Sequence, residues 1–501
     1  MRRFLAVCFA LFSLVGSPAN FAADKPTLEY LFPAGAGIGT TNEITFFGKF
    51  DPWPPKFWSD SDQILIEPST NKGKATLRIT TNATPAAHLI RLYNESGASD
   101  PAIFVIGNQA ELVRQKTEPL TLAPSQFPAT INGRLEKRGD AHSYVLPIKA
   151  GQWLDAKLDS YILMGKLDAV LRLLDDRGHE LAMNHDWATL DPRLIWRSPA
   201  DQTVTLQAFG FIYPASSEIQ LYGGEGAIYR LHLDLSSDQP RDWNGFTSRA
   251  NHSATNAIPL DPGATIPSLI SNAGEEDFYL LQAKKDDWYE ITTRAASLGS
   301  SLDPWLAIRD ESGKQLARDD DTGYSRDPRL EWKAPADGKF FAVVGSVTHQ
   351  TGPDFRYSIS AKKLAPDFEA KISANAFEFS PGTTNSLKFN FKPLRGFTNE
   401  VTASLDPLPE GITCEPKTIP LKEGEVELSV NVSSNAPATN GPFRILIKSP
   451  GTNSPRAVRF YFTTRSENNG VPGGYTTLLV EKTENLWLTI KPKPTEPEKK
   501  N

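Results

Sequence analysis

Residues Leu316–Trp332 read LARDDDTGYSRDPRLEW, and residues Leu181–Trp196 read LAMNHDWATLDPRLIW. The second stretch is a degraded copy of the first. Both open on Leu-Ala and close on Asp-Pro-Arg-Leu-x-Trp, while Asp319, Asp320 and Asp321 become Asn184, His185 and Asp186. Similarity at a fixed offset marks a duplicated structural unit. Upstream, KLDAVLRLLDDRGHEL (Lys166–Leu181) lies over SLDPWLAIRDESGKQL (Ser301–Leu316) without a gap, at an offset of 303 − 168 = 135 residues. It places Asp168 on Asp303, Asp175 on Asp310 and Gly178 on Gly313. GDAHSYVLPIKAGQW from Gly139 lies over GEEDFYLLQAKKDDW from Gly274 at the same offset, and DPRLIWRSPAD from Asp191 matches DPRLEWKAPAD from Asp327 after one inserted residue.

The period within these copies is two. NEITFFGKF, KATLRITTN, YEITTRA, VELSVNV, RILIKS and RAVRFYF alternate apolar and polar residues between Gly, Pro, Asn or Asp, the pattern of half-buried strands. The best helical candidate, Gly165–Leu174, lies in a repeat whose other copy reads as strand. With 35 Gly and 39 Pro in 501 residues, short strands and turns are favoured over long helices. The expected fold class is all-β, a tandem array of about four β-sandwich domains of immunoglobulin-like or jelly-roll-like form.

The expected divisions are a signal peptide (1–23), a first sandwich (24–112), repeat 1 (113–240), repeat 2 (250–363), a last sandwich (364–492) and a disordered tail (493–501). Arg2 and Arg3 before the apolar run Phe4–Val15, with small residues up to Ala19 or Ala23, read as an export signal. No later stretch reaches the ~20 apolar residues of a spanning helix. The expected location is secreted, periplasmic or cell-surface. A net charge of −6 gives no electrostatic reason to expect nucleic acid as a partner. Cys8 leaves with the signal, so Cys414 has no partner for a disulfide and reads as a small buried hydrophobe.

At GDAHSYVLPIKAGQW, LDAVLRLLDDRGHEL, DPRLIWRSPAD and YRLHL, and at LDPWLAIRDESGKQLARDDD, DPRLEWKAPADGKFFAVV and FRYSI, the repeats resemble the bacterial pre-peptidase C-terminal domain, a β-sandwich. The flanking modules, with LFPAGAGIGTTNEITFFG and HLIRLYNESGASDPAIFVIG in the first and LPEGITCEP in the last, look like the immunoglobulin-like modules that accompany it. The resemblance implies a non-catalytic accessory domain, in some members binding calcium or a polymer such as collagen or polysaccharide.

Four aspartates, Asp319, Asp320, Asp321 and Asp327, are the calcium candidates, because clustered hard oxygens on a turn can supply several of the six to eight ligands. Calcium is the only cofactor suggested. The spacing is not that of an EF-hand, and the alternative is a solvated or capping turn. Asp175 and Asp310, each three residues before a glycine, read as turn residues whose carboxylates accept backbone N–H groups. Trp53 and Trp58 in FDPWPPKFW, and Tyr213 and Tyr222 in the repeat 1 insertion GFIYPASSEIQLYGGEG, are candidates for a ligand rim, against the alternative of local packing. Trp153, Trp288, Trp196 and Trp332 recur between the copies and are expected in the cores, while Trp243 and Tyr324 are expected to pack at a junction or loop.

Catalytic signatures are missing. There is no G-x-S-x-G elbow, HELAM (His179–Met183) lacks the second histidine of a zincin, and the glycines of PAGAGIGTT precede no helix pattern. The expected role is therefore non-enzymatic: adhesion to an extracellular polymer, polysaccharide or protein, or service as accessory subunit to an exported hydrolase or other envelope enzyme.

Overall fold

The computed structural model describes residues 23–114, 118–187, 190–212, 220–240, 245–322, 325–450, 454–463 and 479–493. The signal-like segment before residue 23, Tyr213, Trp243, Tyr324 and the tail beyond residue 493 lie outside the described residues. Within them the chain is all-β: strands are joined by turns and four short 3-10 turns, with no α-helix. Alternation is visible residue by residue. In Gly424–Val432 the side chains of Val426, Leu428, Val430 and Val432 go inward and those between them face water. The helical candidate is strand over Leu167–Leu174.

Eight sheets form four sandwiches. In repeat 1, the strands Leu120–Thr121, His142–Ile148, Gln202–Ile212, Leu167–Leu174 and Glu180–Asn184 lie in that order. Repeat 2 reproduces them as Ile258–Pro259, Glu276–Ala283, Gly338–Ser346, Pro304–Arg309 and Gln315–Asp319. The facing sheets run Ala129–Arg134, Ile228–Ser236, Trp153–Asp159, Arg193–Arg197 in repeat 1 and Thr265–Leu269, Arg356–Leu364, Trp288–Arg294, Arg329–Lys333 in repeat 2. Each repeat closes over its own core, around Leu146, Leu171 and Leu206 in one and Leu281, Leu306 and Val344 in the other. Cys414 is buried in the core of the last sandwich.

The sandwiches do not extend as an open rod, because the last returns to the first. Trp487, 1% exposed, sits against Trp58 at 5.6 Å and Tyr93 at 4.9 Å between ring centroids. Around it Asn440 Nδ2 donates to Asn94 O (3.0 Å), Asn375 Nδ2 donates to Asp100 Oδ1 (3.0 Å), and Lys25 pairs with Glu378 (3.0 Å). The core of the first sandwich also takes in Leu163 and Ile228 of repeat 1 and Phe462 of the last sandwich. Glu111 and Arg230 form a buried ion pair where the first sandwich meets repeat 1, with side chains 2% and 3% exposed. Arg326 Nη2 donates to Trp187 O (2.9 Å) between the repeats, and Arg395 joins Glu331 (3.1 Å) between repeat 2 and the last sandwich.

Candidate functional site

Two of the carboxylate positions that both copies share are committed to backbone. Asp175 Oδ1 accepts the N–H groups of Arg177 (2.9 Å) and His179 (2.8 Å), and Asp310 Oδ1 those of Ser312 (2.9 Å) and Lys314 (3.0 Å). The glycines three residues on take φ of +84° and +85°, as such a turn requires. Asp191 and Asp327 do something the sequence did not reveal. Each is buried and accepts three consecutive N–H groups from a 3-10 turn about thirty residues upstream: Ser160, Tyr161 and Ile162 in repeat 1, Ala295, Ala296 and Ser297 in repeat 2.

That role removes Asp327 from the calcium set. Of its proposed companions, Asp319 accepts Arg329 N (3.0 Å) and the Thr322 hydroxyl, which closes its loop. Asp321 instead faces Asp303, Asp320 and Asp319, and its carboxyl is raised first by burial and then by their charges. Repeat 1 holds the same pair at the aligned positions: Asp168, inside its strand, is pushed up to about 6 by burial and then by Asp186. The acidic loops of the two repeats approach one another at Trp187, which follows Asp186 and meets Arg326 of the other loop.

Among the described residues, one trio of ligand atoms lies mutually within 4.8 Å: His252, Glu275 and Asp277. His252 Nδ1 is 3.0 Å from Asp277 and 3.7 Å from Glu275. One imidazole and two carboxylates suit a borderline ion such as zinc better than calcium. The trio was hidden because His252 stands outside the aligned copies, and Asp277 aligns with His142.

Those aligned positions sit in equivalent buried networks. In repeat 2, Tyr357 donates to Asp277 and shares a 2.7 Å hydrogen bond with Tyr279. Burial first, with Glu275 adding, pushes Asp277 up to about 6 against the hydrogen bonds of Tyr357 and His252. In repeat 1, His142 Nδ1 is 2.6 Å from the Tyr229 hydroxyl, which lies 2.5 Å from that of Tyr144. Burial and then Arg114 lower His142 to about 4, opposed by Asp140 and Glu136. The sign follows directly. An unfolded histidine titrates near 6.5, so between that pH and about 4 the unfolded chain binds the extra proton, and repeat 1 loses stability as pH falls. From pH 7 to 5 the expected loss is about 2 kcal/mol. Hydrogen exchange of amides in His142–Ile148 should report it, and His142→Gln should flatten it; protection independent of pH would contradict it.

The proposed aromatic rim is not assembled. Trp53 lies under its loop, with Nε1 donating to Ser69 O (2.8 Å) and its ring beside Phe50 and Phe57. Trp58 belongs to the contact with Trp487. Tyr222 packs on the repeat 1 core and donates to Glu225 O, and Tyr213 is outside the described residues. Of the four recurring tryptophans, Trp332 is buried and Trp196 packs on its core. Trp153 and Trp288 take the solvent side of their strands, because they fall one residue out of phase with Leu154 and Tyr289.

No family model matches the chain. A stretch of 99 residues, 19% of this chain, is 32% identical to part of a probable subtilase-type serine protease of Deinococcus radiodurans. The match spans only 14% of that protease. Among solved structures, the periplasmic inhibitor of g-type lysozyme from Aeromonas hydrophila covers 25% of this chain with 100% of its own, at 15% identity and a TM-score of 0.18. The mixed-linkage glucan utilization protein SGBP-B of Bacteroides ovatus covers 68% of this chain with 74% of its own, at 9% identity and a TM-score of 0.16. Scores this low carry nothing about ligand or assembly.

Proposed function

We propose that this chain is an exported, non-catalytic binding protein that holds an extracellular polymer, polysaccharide or protein, on the outer faces of its sandwiches. No helix among the described residues is long and apolar enough to cross a membrane. The observation that carries the reading is the commitment of four repeat-shared carboxylates, two in each copy. Asp175, Asp310, Asp191 and Asp327 spend their oxygens on backbone N–H groups that shape turns. The resemblance of the repeats to the pre-peptidase C-terminal domain supports the same conclusion. A second reading, an accessory subunit docked to an exported enzyme, is favoured by the local likeness to a protease segment. Pull-down on insoluble polysaccharides and collagen, beside co-purification from the native culture, separates the two. Retention on a matrix supports the first, stoichiometric recovery of an enzyme supports the second, and neither outcome would remove both.

Calcium is proposed for the repeat 2 loop with Asp303 in place of Asp327, since Asp303 and Asp320 lie close enough to Asp321 for their charges to raise its carboxyl. Thermal melts should rise with added calcium by mass action on the folded state, and the rise should vanish in Asp321→Asn. A melt indifferent to calcium and chelator alike would remove the ion.

A further inference from the structure

The faces of the equivalent sheets that turn away from the two main cores carry one and the same pair of groups, a guanidinium laid over a largely buried ring (Phe209 9% and Trp305 6% exposed), built from different residues. In repeat 1, Phe209 stands opposite Val170 and Arg172 opposite Met183. In repeat 2 the occupants have changed strands: Trp305 stands opposite Gly345 and Arg318 opposite Ala307. Val170 aligns with Trp305, Arg172 with Ala307 and Met183 with Arg318. Both the ring and the guanidinium have moved to the neighbouring strand, and the pair survives. The Arg172 guanidinium carbon lies 5.1 Å from the Phe209 ring centre, and that of Arg318 4.6 Å from Trp305. The exchange requires Gly345, because a Cβ there would come within 2.5 Å of the Trp305 indole laid across it.

Neither arginine has a carboxylate partner among the described residues. Arg172 is oriented by Gln207 Oε1 (2.7 Å), and Arg318 is exposed, while the adjacent Arg309 is neutralised by Glu276 (2.7 Å). Stacking on a ring holds a guanidinium in one plane: Arg172 turns its Nε–Nη2 edge to Gln207 Oε1 (3.1 and 2.7 Å) and keeps its Nη1–Nη2 end for bidentate capture of a carboxylate or sulfate, and Arg318 offers the same end. On a chain of net charge −6, attraction for polyanions has to come from such local points. Two equivalent points, one in each repeat, suit a partner that repeats one anionic group along its length.

We propose that Arg172 with Phe209, and Arg318 with Trp305, are paired anion-binding points for an acidic polysaccharide. The proposal rests on the polymer-binding reading above and names its ligand chemistry. The test is retention of the full mature chain at low salt on alginate gel, which offers uronate carboxylates, on dextran sulfate, and on unmodified dextran. Retention on an anionic gel, lost with salt and weakened about tenfold or more in the Arg172→Gln/Arg318→Gln double variant at unchanged melting temperature, is expected. Alginate and dextran sulfate distinguish carboxylate from sulfate. Lys388→Gln, remote in the last sandwich, should bind as the wild type does. Passage of the wild type through both anionic gels, equal retention of the double variant, or displacement by poly-glutamate at lower concentration than by either polysaccharide would overturn the proposal. If unmodified dextran or collagen still retains the chain in those cases, the binding reading stands without this assignment.

Discussion

Replacing Glu111 by alanine is expected to lower the unfolding free energy by about 3–5 kcal/mol, because Arg230 is left as an uncompensated buried cation. The pair is buried on both sides, and Glu111 also accepts Asn132 Nδ2 at 2.7 Å, so its removal strands two donors at once. The ion pair itself is not the source of a net gain. Glu111→Leu with Arg230→Met should recover most of the loss, since an apolar pair of similar volume avoids the desolvation of both charges. Urea midpoints at constant slope measure both variants. A single variant within 1 kcal/mol of the wild type would show that water reaches Arg230.

The second large effect belongs to the return of the last sandwich onto the first. Trp487→Ala removes an indole that is 1% exposed and fixed by Trp58, Tyr93 and its own Nε1–H bond to Asn440 (3.3 Å). Large-to-small truncation at such a site costs about 3–5 kcal/mol when the surroundings cannot collapse. Here the two sandwiches are expected to part, so a carbodiimide crosslink between Lys25 and Glu378, 3.0 Å apart in the wild type, should disappear. Trp58→Ala should weaken the contact less, because Trp58 is only half-buried. Persistence of the crosslink in Trp487→Ala would place the contact's strength elsewhere.

What the sequence made legible was local or repeated. Alternation in VELSVNV survives intact as a strand, and the Asp-x-x-Gly turns are found where the copies coincide, because all their partners lie within four residues. What it hid was long-range. Asp327 read as a calcium candidate, and Asp191 only as the start of a repeated segment, until folding brings them to turns 29 to 32 residues away. Trp58 read as a loop aromatic available to ligand, and its partner Trp487 is far along the chain. Trp153 and Trp288 recur because they share a strand position, and recurrence alone does not say which face that position takes. The exchanged arginine–aromatic pairs were invisible for a related reason. Aligned residues such as Val170 and Trp305 look unrelated until strand register shows their neighbours compensating.

The central claim is that this chain holds its partner without transforming it. The direct measurement is to incubate the purified chain with the polymer that retains it and to assay new reducing ends and free amines over many hours. The account predicts bound protein and no product above the polymer-only control. Steady release of product, abolished by a substitution in the Asp168–Asp186 or Asp303–Asp321 pair at unchanged melting temperature, would contradict it.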